Sequence, residues 1–513
     1  MTRIAHTHGP DAPALALVDT ARDDVVREVA AGPGRWEAAA GPFTRYERRV
    51  DRQPDGSVDE VIEVDVAPLL WGPFKPLYLR TLARRPPPGT KPWWAPPEAV
   101  DARAGTALGA LCILALVLGY LGSVLTQTIT FAADELGAST ADQGATLAAV
   151  RIGIIGALVL TAVADRRGRR QVLALASTAA CVLSAATALA PDLLAIGITQ
   201  SFVRGLVTAC GVLLTIVAAE EMPAGSRAFA VSLLSVTGAL GVGMVLWALP
   251  LADLGDRSWR LVFVIPLAFL PLLRIVARHL PESRRFSAAH VQAPIAGHGR
   301  RFWLLAASAL LLSLFTAPAS QLMNEFLREE RGFSAARISL FTLLTNTPGG
   351  LGIVIGGRLA DTRGRRTVGA VGVAGGVVLT VAMVLTSGWP MWALSAAGAV
   401  VGAMVVPALG VYGPELFPTS LRGKANGAIT ILGVAGSVAG LFVAGYLVDR
   451  WGGLGPALTV LAAGPLAMAV LVLVAYPETA RRELEELNPE DALPTADAEG
   501  RAPLPLPATP PVD

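Results

Sequence analysis

Charge is what this sequence has least of. Acidic and basic side chains make up 16% of the 513 residues, and apolar ones 53%. A soluble domain carries about 25% charged residues, so the composition argues against a soluble chain over most of its length. The charges nearly cancel, to a net +2, leaving no basic field for nucleic acid. Cysteine is almost missing. Cys112, Cys181 and Cys210 each sit inside an apolar run without metal or disulfide spacing, and are expected as buried thiols. His6, His8, His279, His290 and His298 make no HExxH-type pattern. There is no Gly-x-x-x-x-Gly-Lys-[Ser/Thr] loop, since Gly423-Lys424 lacks the rest, so nucleotide-driven pumping is not expected of this chain. A Gly-x-Ser-x-Gly elbow in a strand–turn–helix context is missing too. The reading is therefore not an enzyme, with no metal and no cofactor. A signal peptide is not expected either: Met1–Pro10 is mostly polar, and the run Ala12–Val18 gives way to Asp19, Arg22 and Asp23.

What is there is apolar sequence of membrane-spanning length. Runs cover roughly 106–131, 143–164, 171–190, 193–219, 229–250 and 259–278. A second set covers roughly 302–324, 338–360, 367–386, 389–413, 425–448 and 454–475. About 20 apolar residues cross about 30 Å of hydrocarbon. The expectation is an all-α membrane protein with twelve transmembrane helices in two six-helix bundles, 106–280 and 302–476. A central linker, 281–301, joins them, and a mostly disordered tail, 477–513, follows. Arginine and lysine gather before the first run (Arg84, Arg85, Lys91, Arg103), after the second (Arg166, Arg167, Arg169, Arg170) and in the linker (Arg284, Arg285, Arg300, Arg301). Excess positive charge in short loops marks the cytoplasmic side, which places both termini there, in a multi-pass protein of the cell membrane.

Residues 1–105 stand apart as a cytoplasmic extension with a small α/β element. Asp19–Ala30 reads as a short helix capped by Asp19. Tyr46–Val50 and Val58–Val66 flank Gln53-Pro54-Asp55-Gly56, a hairpin signal. Leu69–Leu82 reads either as an interfacial segment or as the packed edge of a small domain. Pro86–Pro97 cannot be helical and reads as a stiff linker.

The chain repeats itself. Ala164–Arg170 (ADRRGRR) returns as Ala360–Arg366 (ADTRGRR), with Asp165 and Asp361 196 positions apart. Pro281-Glu282-Ser283 and Pro477-Glu478-Thr479 are also 196 apart. Glu221 and Glu415 are 194 apart, each followed at six or seven positions by an arginine, Arg227 or Arg422. This is the mark of a duplicated six-helix unit, a common build among secondary transporters. Every landmark falls at an expected cytoplasmic helix end, where acid and arginine meet with less desolvation than at mid-bilayer. The candidate gate network is Asp165, Arg166, Arg169, Arg170, Glu221, Arg227, Glu282, Asp361, Arg365, Arg366, Glu415, Arg422 and Glu478. Plain topology, arginines holding loops inside, is the alternative.

The first loop resembles the signature loop of the major facilitator superfamily, commonly G-x-x-x-D-R-x-G-R-R. Asp165, Arg166, Gly168, Arg169 and Arg170 match, and Thr161 stands at the leading glycine. In the second copy Gly357, Asp361, Gly364, Arg365 and Arg366 match, with Thr362 where arginine is usual. EMPAGSR (Glu221–Arg227), PESRR (Pro281–Arg285), ELFPTSLRG (Glu415–Gly423) and Pro477-Glu478-Thr479 look like the sugar-porter and metabolite–proton symporter branch. The resemblance implies the major facilitator fold, two pseudo-symmetric bundles working by alternating access as a monomer. The solute it implies is a sugar, polyol or organic acid, moved in symport with protons. Export of drugs or metabolites, facilitative uniport and a non-transporting sensor are the alternatives. The first-helix aspartate of proton-coupled sugar porters has no counterpart in Thr106–Thr130.

Singly, Arg204 and Arg151 are charges within spans and hence candidates for transport or coupling. Asp134, Glu135 and Glu325 are candidate proton carriers. Gln321, Asn324, Asn346 and Trp247 are candidates for the substrate path. Against these stand snorkelling for Arg151, a structural hub for Arg204, a wet helix end for Gln321 and Asn324, a packing notch at Asn346, and an aromatic belt for Trp247.

Overall fold

The computed structural model describes residues 2–9, 15–66, 75–84, 90–138, 142, 146–147, 149–283, 295–323, 326–333 and 335–491. Among these, eleven helices are long and apolar enough to cross a bilayer, from Ala102–Ile129 to Leu454–Ala475. They occupy the expected positions. The second expected span is described as an α-helix over Ile154–Arg167, preceded by a tighter 3-10 turn at Arg151–Gly153. The helices are apolar on their outer faces as well. Val159, Leu175, Phe202, Leu351, Phe442 and Val474 are all exposed, a pattern suited to lipid rather than water.

The two halves pack alike. In the first, the Ala102–Leu136 helix lies along Arg227–Ala248; in the second, Gly299–Gln321 lies along Arg422–Trp451. The halves meet through two equivalent contacts, Ile154–Arg167 against Arg422–Trp451 and Gly349–Arg363 against Arg227–Ala248. Asn346 and Pro348 separate the Ala335–Asn346 helix from Gly349–Arg363. Asn346 itself is exposed, and just beyond the break Gly352 lies against the Val400 backbone. The interruption thus coincides with a close approach of two helices.

The extension is a domain of its own. Five antiparallel strands, β1 (Thr2–His8), β2 (Arg27–Gly32), β3 (Arg35–Ala40), β4 (Phe43–Arg52) and β5 (Val58–Val66), form one sheet in the order β1-β5-β4-β3-β2. The expected hairpin is β4–β5. The expected helix Asp19–Ala30 is not formed. The Asp24 carboxylate accepts from the Val25 (2.7 Å) and Val26 (3.4 Å) amides, a local turn, and Arg27 onward pairs with β3. Side-chain capture of the backbone plus tertiary pairing overrides helix propensity here. Leu77–Leu82 of the expected apolar segment lies in the helix Lys75–Arg84, with Tyr78 and Leu82 buried against Tyr46, Ile62 and Val64. That is the packed-edge arrangement; residues 69–74 lie outside the described residues. Arg48 is fully buried, bound through two nitrogens to Glu28 (2.8 Å each) and through a third contact to Glu60 (3.2 Å). Burial and the adjacent Glu28 carboxylate push the Tyr46 phenol well above its usual pKa.

Of the tail, residues 477–491 are ordered, with a helix at Leu484–Leu487 and a 3-10 turn at Pro489–Asp491. Residues 492–513, like 284–294 of the linker, lie outside the described residues.

Candidate functional site

Two features converge on the seam between the halves: a cavity, and an ion network at the arginine-rich end. The network is built twice. In both copies a glycine, Gly168 (φ 100°) or Gly364 (φ 107°), turns the chain between two helices, a conformation only glycine adopts cheaply. The turn sets an aspartate at one helix end and an arginine at the next helix start, four residues apart. Arg169 reaches Asp165 at 3.4 Å and Arg365 reaches Asp361 at 3.0 Å.

Each aspartate then caps a helix of the opposite half. Asp165 accepts from the Gly423 (3.1 Å) and Lys424 (3.0 Å) amides, and Asp361 from those of Ala228 (3.2 Å) and Phe229 (2.9 Å). These amides open the helices Arg422–Trp451 and Arg227–Ala248. A carboxylate there satisfies free N–H groups and faces the positive helix end.

The second layer is glutamate shared between arginines of both halves. Glu220 takes Arg169 of its own half (2.7 Å) and Arg422 of the other. Glu415 takes Arg365 of its own half and Arg227 of the other (3.2 Å). All six of these side chains are fully buried. Glu282 and Glu478 accept the Arg169 and Arg365 amides at 3.0 and 2.9 Å. Arg170 and Arg366 donate to the carbonyls of Ala277 and Leu473.

Two candidates fall outside. Glu221 is not the mate of Glu415. It pairs with Arg103 at 3.3 Å; its neighbour Glu220 holds the equivalent place. Arg166 is exposed and is not among the network's contacts, which fits Thr362 standing at the same position of the second copy. Sequence reasoning also missed the ordered tail. Asp491 binds Arg422 (3.2 Å) and the Thr419 amide (2.8 Å), and Glu483 binds Arg227 (3.4 Å). The offset of 195 between Arg227 and Arg422 was the available signal for Glu220. Asp491 and Glu483 have no counterpart motif in the first half.

The cavity, of about 440 Å³, lies between the halves. Its polar lining is Thr126, Arg151, Gln200 and Arg204 from the first half, and Ser320 and Gln321 from the second. Arg204 donates to the Gly122 carbonyl at 3.2 Å. No acidic residue lines the cavity among the described residues. Arg151, Arg204 and Gln321 are therefore brought together, and the other path candidates are not. Trp247 is 83% exposed on the outside, and Asn346 is not in the lining. Asp134 is exposed elsewhere. Glu135 is tied to Arg257 and Arg260 at 3.2 Å and to the Trp259 indole at 2.7 Å. Desolvation alone would raise its pKa, but the hydrogen bonds from Arg260 and Trp259 and the adjacent guanidinium charges outweigh it and hold Glu135 below the usual range. These contacts favour the ionised form of Glu135. Asn324 and Glu325 lie outside the described residues.

The model of the Major Facilitator Superfamily matches residues 111–342 and 305–508. The chain is 27% identical over 410 residues to a gallate transporter of Pseudomonas putida, covering 70% of this chain and 87% of the relative. It is 28% identical over 363 residues to a putative metabolite transport protein of Haemophilus influenzae, covering 65% of this chain and 84% of that relative. Among solved structures, the proton:xylose symporter XylE bound to 6-bromo-6-deoxy-D-glucose superposes with a TM-score of 0.62 at 19% identity, over 75% of this chain and 98% of XylE.

Proposed function

The chain belongs to the Major Facilitator Superfamily, and we propose that this membrane transporter of small solutes carries an organic anion, together with a proton, by alternating access. One observation carries the reading. Two guanidiniums, Arg151 and Arg204, face a single cavity in which no carboxylate answers them among the described lining residues. Charges in a low-dielectric setting are costly unless compensated. A carboxylate solute would supply the compensation, and the planar fork of arginine suits it. Gln200, Gln321, Thr126 and Ser320 would serve hydroxyl groups on the same solute. The likeness to a gallate transporter supports a hydroxylated aromatic acid over a sugar. The network at the arginine-rich end, taken as cytoplasmic, acts as the gate that seals the cavity from that side.

The proton follows from electrostatics. Moving one negative charge inward against a membrane potential costs about 2.3 kcal/mol per 100 mV. A proton carried with it makes the step electroneutral.

The test uses the purified protein in liposomes with an internal pH dye. Gallate and related hydroxybenzoates are expected to drive proton entry at a rate insensitive to an imposed potential. Arg204→Gln is expected to lower kcat/KM for the acid by about 10- to 100-fold, the worth of charge-assisted hydrogen bonds. Proton flux evoked by sugars but not by carboxylates would overturn the anion reading. Labelled acid equilibrating without proton flux would make the protein a uniporter, and acid-driven proton flux of opposite sense would make it an exporter.

A further inference from the structure

We infer that residues 90–100 form a strap that holds the arginine-rich end of the transporter shut, so that the sheet domain regulates the transport cycle. The inference rests on the alternating-access reading given above.

The strap belongs to the sheet domain. Ala95 is buried in the same core as Tyr78, and the Trp94 ring packs edge-on against Tyr78 at 4.8 Å. Lys91 closes the strap on itself by donating to the Pro97 carbonyl at 3.1 Å and adds an ion pair to Asp23 at 3.7 Å. Pro92, Pro96 and Pro97 stiffen it.

From this rigid base the strap reaches both halves. On the second half, Arg358 donates to the carbonyls of Pro92 (3.2 Å), Trp93 (2.9 Å) and Ala95 (3.0 Å). On the first, Glu98 accepts from the Gly225 amide at 2.8 Å, and the Ser226 hydroxyl bonds the Glu98 backbone at 2.9 Å. Immediately afterward Asp101 caps the first spanning helix through the Ala104 amide at 2.7 Å.

The two anchor points flank the seam. Ser226 precedes the helix that Asp361 caps, and Arg358 lies three residues before Asp361. Because the strap continues directly into the first helix, it travels with the first half. Opening of this end must therefore pull Pro92–Ala95 away from Arg358. Bonds from a charged donor are stronger than neutral ones, so the strap adds to the closed state alongside the buried ion network. Displacement of the sheet domain would release it.

Ser232 supplies the readout. It is 2% exposed, and its hydroxyl donates across the seam to the Ile353 carbonyl at 2.9 Å. In the full chain, Ser232→Cys would be labelled by a membrane-impermeant maleimide only when this end opens. The chain without Ser232→Cys gives the background from the three buried cysteines. Arg358→Ala is expected to label about tenfold faster than the parent, for the loss of charge-assisted bonds. Glu98→Gln, which loosens the other anchor, should rise in the same direction and serves if the first variant does not fold. Arg365→Gln reports on the buried ion network. Unchanged labelling of both strap variants, with faster labelling of Arg365→Gln, overturns the strap and leaves the gate reading intact. Unchanged labelling of all three overturns both. Faster labelling of the strap variants with Arg365→Gln unchanged upholds the strap and removes the ion gate.

Discussion

A one-residue choice decides which glutamate matters. Glu220 and Glu221 are adjacent on one helix, and a composition-level reading cannot separate them. The helix does: one faces Arg169 and Arg422 from a fully buried position, the other faces Arg103, whose side chain is 45% exposed. Glu220→Gln removes a carboxylate that two buried arginines share, and is expected to destabilise the fold by about 3–5 kcal/mol. Glu221→Gln, whose carboxylate is also buried but meets one half-exposed arginine instead of two buried ones, is expected to cost less. Thermal unfolding of the two variants in detergent checks the order, and equal midpoints would contradict the assignment. The departure of Thr161 from the signature loop also has a residue-scale cause. At the two equivalent contacts between halves, Thr161 opposes Gly427, and Gly357 opposes Ser232. The glycine has changed sides. A Cβ on Gly427 would lie 2.7 Å from the Thr161 hydroxyl, tighter than close packing allows. Gly427→Ala should therefore impair transport, and Thr161→Gly in the same chain should restore it. Failure of the second change to rescue the first would show that the contact is not what fixes residue 161.

Elements were legible where length or local turn chemistry specifies them. Spanning helices announce themselves because about 20 apolar residues have few other uses, and the β4–β5 hairpin because Asp55-Gly56 turns the chain. The segment Asp19–Ala30 was not legible, because its fate is set by partners far away in sequence. Glu28 sits at 5% exposure only because Arg48 and Tyr46 arrive from β4 to bind it. The same dependence gives a prediction about the sheet. Arg48 joins β4 to Glu28 of β2, to Glu60 of β5 and to the carbonyls of Val18 and Thr20, with the Trp36 ring 3.9 Å away. Arg48→Ala leaves the buried Glu28 carboxylate without the guanidinium that binds it twice, which costs about 3–5 kcal/mol. Limited proteolysis of the full chain should then cut within residues 2–66 while the spanning helices stay intact. Resistance equal to the parent's would mean that apolar packing alone holds the sheet.

For the whole molecule, the repeat at 194 to 196 positions made the two-bundle plan readable in the sequence. What it could not reveal is where the symmetry fails, since an unpaired feature leaves no echo in the sequence. The failure lies in the ordered tail, and it bears on how the two halves part. When Arg422 leaves Glu220 on opening, it keeps Asp491, which belongs to its own half and is fixed by the Thr419 amide and hydroxyl. Arg227 pairs with Glu415 and Glu483, both of the other half. Asp491 thus contributes more to the open state than to the closed one, in which Arg422 already has Glu220. A group can shift an equilibrium only by the difference in its interaction with the two states. Asp491→Asn is therefore expected to favour the closed state. Labelling of Ser232→Cys from the arginine-rich side should slow by about tenfold, the worth of a charge-assisted contact, and solute turnover should fall with it. Faster labelling would show the reverse, that Asp491 braces the closed seam and that the tail acts in the same sense as the strap.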